Sequence, residues 1–291
     1  MRTFHYLKDA EFSEPAWLVR DLLVKGTVNI LWAMAGMGKS YFAIQLSVCL
    51  ASGKPFLDFK IPDTGKCLYY CLEGGERGLA HRIKNYPPMD VSPEAFDAVA
   101  AVFSLSLATE ADFEKLKAST LSWKAALVII DPLSSVLLPR GWDWNDNSAV
   151  APFMARLDRI AVETGACILL IHHKKKGPKD DTPNEEYDRS TATGAQSLVN
   201  LASTRMHIRG LGHGSRILYV FGKDVRLMEL SIRHDEKEPY GPMWRRARGK
   251  ESAGSPDIDL RGAMGLIRCG VCGIWSTEPV HDIHARGGRI Q

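Results

Sequence analysis

The stretch AMAGMGKS, Ala33 to Ser40, follows the apolar run TVNILW and carries two glycines, a lysine and a hydroxyl in the order a phosphate cradle needs. Such a loop aims consecutive backbone N–H groups at an anion from the start of a helix, while lysine supplies charge and a hydroxyl reaches Mg2+. Gly36 and Gly38 can take backbone angles that side chains forbid. The predicted nucleotide contacts are therefore Ala35, Gly36, Met37, Gly38, Lys39, Ser40 and Tyr41, with ATP as the nucleotide and Ser40 on the metal. The usual pattern opens with Gly where this chain has Ala33; that position eases the exit from the strand, and alanine is the next smallest residue.

Two acids stand where a bound triphosphate could use them. Asp131 ends the apolar run LVIID, the place of a carboxylate that orients Mg2+ through water. Glu73 ends LYYCLE and would project from a neighbouring strand towards the γ-phosphate, as a base for the attacking water. Glu76 is the second candidate for that base.

These groups converge only if the right elements carry them. Apolar runs alternate with helical segments over residues 25–205, the pattern of a parallel sheet with crossover helices. TVNILW, KCLYYCLE, AAVFSLS, AALVIID and ACILLIHH are the predicted parallel strands, and the last two are continuous enough to be covered on both faces. SYFAIQLSVCLASG suits a helix closed by Gly53, and Thr109 with Asp112 caps another over DFEKLKAS. NSAVAPFMARLDRIAVETG reads as a crossover helix capped by Asn147, with Pro152 tolerable only in its first turns. Residues 174–192 read as a long mobile loop, followed by a helix in QSLVNLAST. RMHIR, RILYVFG and RLMELSIR then give an antiparallel extension. The expected fold is α/β, a mostly parallel twisted sheet with helices on both faces. Residues 1–235 form one domain, and 236–291 form a linker and short tail too small for a core of its own.

Bulk properties exclude several classes. Of the 291 residues, 45% are hydrophobic and 24% charged, ordinary for a globular protein with a proper core. No apolar run approaches the roughly 20 residues that cross a bilayer, and the N-terminus has no secretion pattern, so a cytoplasmic protein without membrane contact is expected. Cys49, Cys67, Cys71 and Cys167 lie in apolar stretches and read as reduced core residues. The net charge of +3 does not by itself imply nucleic acid, although HHKKKGPK and WRRARGK are locally basic.

In order, PAWLVRDLLVKGTVNILWAMAGMGKSYFAIQLS, LYYCLEGGERGLAHR, LVIIDPLSSV, NDNSAVAPFM and LLIHHKKKG resemble the RecA-like ATPases of the plasmid RepA hexameric helicase type, over roughly residues 13–230. Members of that group commonly lack the first glycine of the phosphate loop. The resemblance implies Lys39 and Ser40 on phosphate and Mg2+, Glu73 as general base and Asp131 on the metal. It also implies a γ-phosphate sensor in the pair His172–His173, of which the second matches the family better. An imidazole can hydrogen-bond phosphate and pass on the change, so the residues themselves leave the pair open. A hexameric ring would complete each site with a cation from the neighbouring copy, and the candidates are Arg205, Lys223 and Arg226.

The same architecture implies channel loops after the Asp131 and His173 strands. The first holds Arg140, Trp142 and Trp144, a cation beside aromatic faces that suits stacked single-stranded DNA. The second holds Lys174, Lys175, Lys176 and Lys179, balanced by the acids that follow. Cys269, Cys272, His281 and His284 in the tail are spaced too tightly for the usual zinc finger. The leading reading is a Mg-ATP-driven helicase or translocase in replication of a plasmid, phage or integrated element, with a replication initiator or primase as further partner. The alternatives are a RecA/KaiC-like loading or regulatory ATPase, and a nucleotide-gated DNA-binding module that does not unwind.

Overall fold

A computed structural model describes residues 14–84, 94–137, 147–173, 196–212, 215–235 and 243–247, together with 267–268 and 275–276. In chain order the elements are β1 (Trp17–Val19), β2 (Leu23–Val24), β3 (Val28–Ala33), α1 (Lys39–Ser52), β4 (Lys66–Cys71), α2 (Gly75–Lys84), α3 (Glu94–Asp97), β5 (Val99–Val102), α4 (Glu110–Trp123) and β6 (Ala125–Asp131). There follow α5 (Ser134–Leu137), α6 (Asn147–Thr164), β7 (Cys167–His173), α7 (Gln196–Leu201), β8 (Thr204–Gly212), β9 (Ser215–Gly222), β10 (Met228–Asp235), β11 (Met243–Arg246), β12 (Ile267–Arg268) and β13 (Trp275–Ser276).

Nine strands form one sheet in the order β11-β10-β9-β8-β3-β7-β6-β4-β5. From β8 to β5 every neighbouring pair is parallel, and β9, β10 and β11 return antiparallel. The expected mostly parallel sheet with an antiparallel extension is therefore the observed one, except that the first run of the extension, RMHIR in β8, pairs parallel with β3 and only the later strands are antiparallel.

Alternation along each strand divides the apolar side chains between two cores. One holds Leu31, Cys71, Ile129 and Ile171 beneath α1 and α2; the other holds Trp32, Tyr70, Ile130 and Leu170 beneath α4, α6 and α7. The central strands are buried on both faces, which is why they read as unbroken apolar runs. Cys49, Cys67, Cys71 and Cys167 are free and buried, and burial pushes the Cys67 and Cys167 thiols up to about 12.

Local signals set the helix ends. Thr109 accepts from the Asp112 N–H while Asp112 accepts from the Thr109 N–H, a capping box that starts α4. Gly53 closes α1 in the left-handed conformation at φ 71°. Pro152 sits within α6.

The strand β11 falls inside the segment expected to be linker. It pairs with β10, and its Trp244 is docked on α1: the Gln45 amide donates to Trp244 O and accepts from Trp244 N, each at 2.7 Å. Contacts separate two compact units, residues 1–248 and 249–291. Of the second unit, the described part is the antiparallel pair β12–β13. Among the described residues no helix is long and apolar enough to cross a membrane.

Candidate functional site

The parallel strands all end at one edge of the sheet, and there the chain leaves β3 through the glycine loop and enters α1. Ala33 is still strand: it is fully buried and lies opposite His173 on one side and Ile208 on the other. The left-handed turns come later, at Gly36 (φ 76°) and Gly38 (φ 81°), with Gly38 as the residue before α1. The position where the usual pattern has glycine is extended here and needs none.

A cleft of about 530 Å³ opens over this loop. Ala35, Gly36, Gly38, Lys39, Ser40 and Tyr41 form its floor, and Glu73, Arg82, Asp131 and His173 form its walls. Of the predicted loop contacts only Met37 is absent from the lining. Its side chain turns to the sheet, where Gly210 of β8 makes room; a Cβ there would come within 2.8 Å of the Met37 Cε.

Lys39 is buried at the centre of the cleft. Its ammonium donates to Met34 O at 2.8 Å and Ala33 O at 3.1 Å, and lies 3.4 Å from His173 Nδ1. Burial lowers its pKa to about 8, against the raising effect of Asp131 and Glu73. His173 is held below its ordinary value by burial and by the Lys39 charge, so at neutral pH it is a neutral imidazole.

Asp131 is 6% exposed, and Tyr69 Oη donates to its Oδ2 at 2.5 Å. Burial and then the Asp131 charge raise the Tyr69 pKa well above its ordinary value, so the phenol keeps its proton. The Leu72 N–H donates to Asp131 O at 2.7 Å, tying the exit of β4 to the end of β6 and bringing exposed Glu73 to the same wall. Gly74 and Gly75, at φ 81° and 57°, then turn the chain into α2. Glu76 is not among the cleft residues.

Among the described residues no group of three or more His, Cys, Asp or Glu could hold a metal ion alone. That suits Mg2+, which takes one or two protein oxygens and completes its shell with phosphate and water. Ser40 and Asp131 would hold it, and its chemistry there would be to neutralise charge on the phosphates. Tyr69 fixes one carboxylate oxygen of Asp131, and the other remains for a water of the metal shell.

The strand alternation separates the histidine pair. His173 shares a face with Ala33 and the cleft; His172 is 2% exposed on the opposite face, in register with Trp32. The sensor position is thus open to His173, and His172 is a residue of the second core. The expected finger residues lie away from the cleft of their own chain; the site a finger would complete is the neighbouring copy's. Arg205 pairs with Ile30, three residues before the level of Ala33, roughly 10 Å down the strand. Its guanidinium donates to Asn200 O at 2.8 Å and Ala202 O at 3.4 Å, and stacks over Phe221, so it caps the end of α7. Lys223 is exposed at that same lower edge, its N–H donating to Ser203 O, and Arg226 is exposed nearby. Arg140, Trp142, Trp144, Lys174, Lys175, Lys176 and Lys179 lie outside the described residues, as do Cys269, Cys272, His281 and His284.

Sequence reasoning missed two features of the site. Arg82 reads in GERGLAHR as one more polar helix residue, yet it lines the cleft. Trp244 reads as linker, yet its indole N–H donates to Gly38 O at 3.1 Å, at the hinge of the phosphate loop.

A family model described as an AAA domain matches residues 3–179. Among solved structures, a KaiC-like protein from the hyperthermophilic archaeon Pyrococcus horikoshii superposes with a TM-score of 0.54 at 14% identity, covering 81% of this chain and 96% of that chain. At that identity the likeness concerns the fold, which is the RecA-like α/β arrangement.

Proposed function

We propose that this chain, which belongs to the AAA domain family and has the fold and loop of a RecA-like P-loop ATPase, is a Mg-ATP-driven translocase or helicase on single-stranded DNA. Turnover rests on the cleft. Lys39 and Ser40 bind the phosphates and Mg2+, Asp131 orients the metal's water, Glu73 takes the proton of the attacking water, and His173 contacts the γ-phosphate.

One observation favours a motor over a static ATPase. The sensor and the basic loop are adjacent in the chain, since Lys174 is bonded directly to His173. The Arg140, Trp142 and Trp144 segment likewise follows Asp131 after the single turn of α5. A change at the γ-phosphate therefore has a short covalent path to both candidate DNA-binding segments. The working form in this reading is a closed ring of identical chains, six in the family it resembles, serving replication beside an initiator or primase.

The test is ATP turnover with and without single-stranded DNA, together with strand displacement on a forked duplex, for wild type and Glu73→Gln. The expected result is DNA-stimulated turnover that the variant loses by a factor of about 100 or more. Its salt-dependent retention of oligonucleotide should persist. Retention with equal turnover in both proteins would favour the nucleotide-gated binding module, and no retention at all would end the DNA reading.

A further inference from the structure

Two adjacent residues of the phosphate loop rest on strands β8 and β11. The Met37 side chain lies against Gly210 of β8, where even a Cβ would come within 2.8 Å of its Cε. Gly38 is held from β11, because the Trp244 indole N–H donates to its carbonyl at 3.1 Å. The same carbonyl accepts the first bond of α1, from the Phe42 N–H at 2.9 Å. A carbonyl oxygen has two lone pairs, so one is taken by the helix and the other by the sheet.

The geometry of the peptide gives the second bond its consequence. Gly38 C=O and Lys39 N–H belong to one planar trans peptide and point in opposite directions. Whatever fixes the oxygen therefore aims the N–H, which at the start of a helix is directed at an anion. Glycine takes left-handed and right-handed angles about equally, so Gly36 at φ 76° and Gly38 at φ 81° put no steric barrier against turning this peptide. The bond from α1 cannot hold it against the sheet, because helix and loop would move together. Trp244 supplies that hold. It is 1% exposed, its ring meets Phe42 edge-on at 6.3 Å, and its backbone is bonded twice to Gln45. Gly38, Phe42 and Gln45 follow at helical spacing, so this single residue grips one face of α1 along its first two turns.

We propose that Trp244 is a positioning residue for nucleotide binding. It acts through the Gly38 carbonyl to aim the Lys39 N–H, and with it the open end of α1, at the phosphates. It touches no substrate, and it lies 206 residues after the loop it serves. A cradle held in this way binds what ADP and ATP have in common. Loss of the hold weakens both alike and leaves the chemical step nearly untouched.

The inference rests on reading the loop as a phosphate cradle, not on hydrolysis or on DNA. The experiment compares full-length wild type with Trp244→Phe, which keeps an aromatic ring and leaves the backbone bonds to Gln45 in place. Calorimetry gives the affinities for ADP and for a non-hydrolysable ATP analogue, both with Mg2+. Hydrogen-exchange mass spectrometry follows residues 39–45 and 243–247. The variant should bind both nucleotides about fivefold more weakly, the loss of one net hydrogen bond. Exchange over 39–45 should rise about fivefold, while 243–247 stays within twofold of wild type. In turnover, KM should rise about fivefold with kcat within twofold.

Affinities within twofold of wild type would overturn the proposal, and so would a loss confined to the triphosphate analogue. Exchange that accelerates equally over 243–247 would also overturn it, because Trp244 would then hold its own strand and not the loop. If wild type binds neither nucleotide, the phosphate-cradle reading falls and takes this inference with it. Binding that is equal in both proteins sinks the inference alone.

Discussion

Gln45→Leu tests whether β11 is part of the nucleotide machinery. The Gln45 amide is 3% exposed, and its two 2.7 Å bonds satisfy both backbone groups of Trp244, which is itself 1% exposed. Leucine nearly preserves the volume but leaves the Trp244 N–H and C=O facing an apolar side chain. An orphaned buried polar group costs about 1–3 kcal/mol, so two cost roughly 2–6 kcal/mol. Leucine regains about 1 kcal/mol through its apolar surface, leaving a net loss of about 3 kcal/mol. The chain has a cheaper escape than unfolding, because among the described residues β11 is an edge strand paired only with β10. It can peel from α1 and let water satisfy both groups.

The expected signature is local. Amide exchange over 243–247 should accelerate by about a hundredfold, the equivalent of that 3 kcal/mol, with a smaller fall in Tm. ATP affinity should fall too, because Trp244 leaves Gly38 O when it undocks. Hydrogen-exchange mass spectrometry measures the first and calorimetry the second. Unchanged exchange over 243–247 with wild-type Tm would refute the claim that Gln45 holds the strand.

Three further outcomes follow from the cleft. In the free protein Lys39 releases its proton near pH 8, because burial outweighs Asp131 and Glu73. Phosphate affinity is then full below that pH and lost above it, weakening about eightfold between pH 7.5 and 9, with proton uptake on binding at pH 9 seen by calorimetry in two buffers. Tyr69→Phe frees the Asp131 carboxylate and should raise the Mg2+ concentration for half-maximal turnover roughly tenfold while nucleotide affinity without metal is retained. His173→Ala should abolish the coupling of DNA to turnover with little change in Tm, whereas His172→Ala should lower Tm with the coupling intact; the reverse pattern refutes their assignment to opposite faces.

The parts legible in the sequence are those set by neighbours along the chain. LVIID and CILLIHH had to be two-faced strands because each is apolar without interruption, and Thr109 with Asp112 is a cap by spacing alone. What stayed hidden depends on partners far away. MWRR looks like a basic linker because its partner, Gln45, lies 199 residues earlier in the chain. Alternation alone says that His172 and His173 face opposite ways, but only the register Ala33↔His173 says which one meets the cleft. Only the pairing of β8 with β3 shows that Arg205 stands about three residues below the phosphate loop of its own chain. Arg82 was obscured by the opposite effect, since a polar helix offers no pattern to distinguish a solvated arginine from one in a site.

Ala33 joins these two kinds of reading. A missing first glycine looks like damage if each residue of the motif is judged by its name. In the fold it marks where strand pairing ends. The side chain of Ala33 is buried in the first core, on the last paired residue of β3, and glycine there would remove a packed methyl. Lys39 donates back to Ala33 O, so the same residue that ends the strand holds the lysine before phosphate arrives. The substitution therefore costs the cradle nothing, because the bend it might have eased is made further along by Gly36 and Gly38.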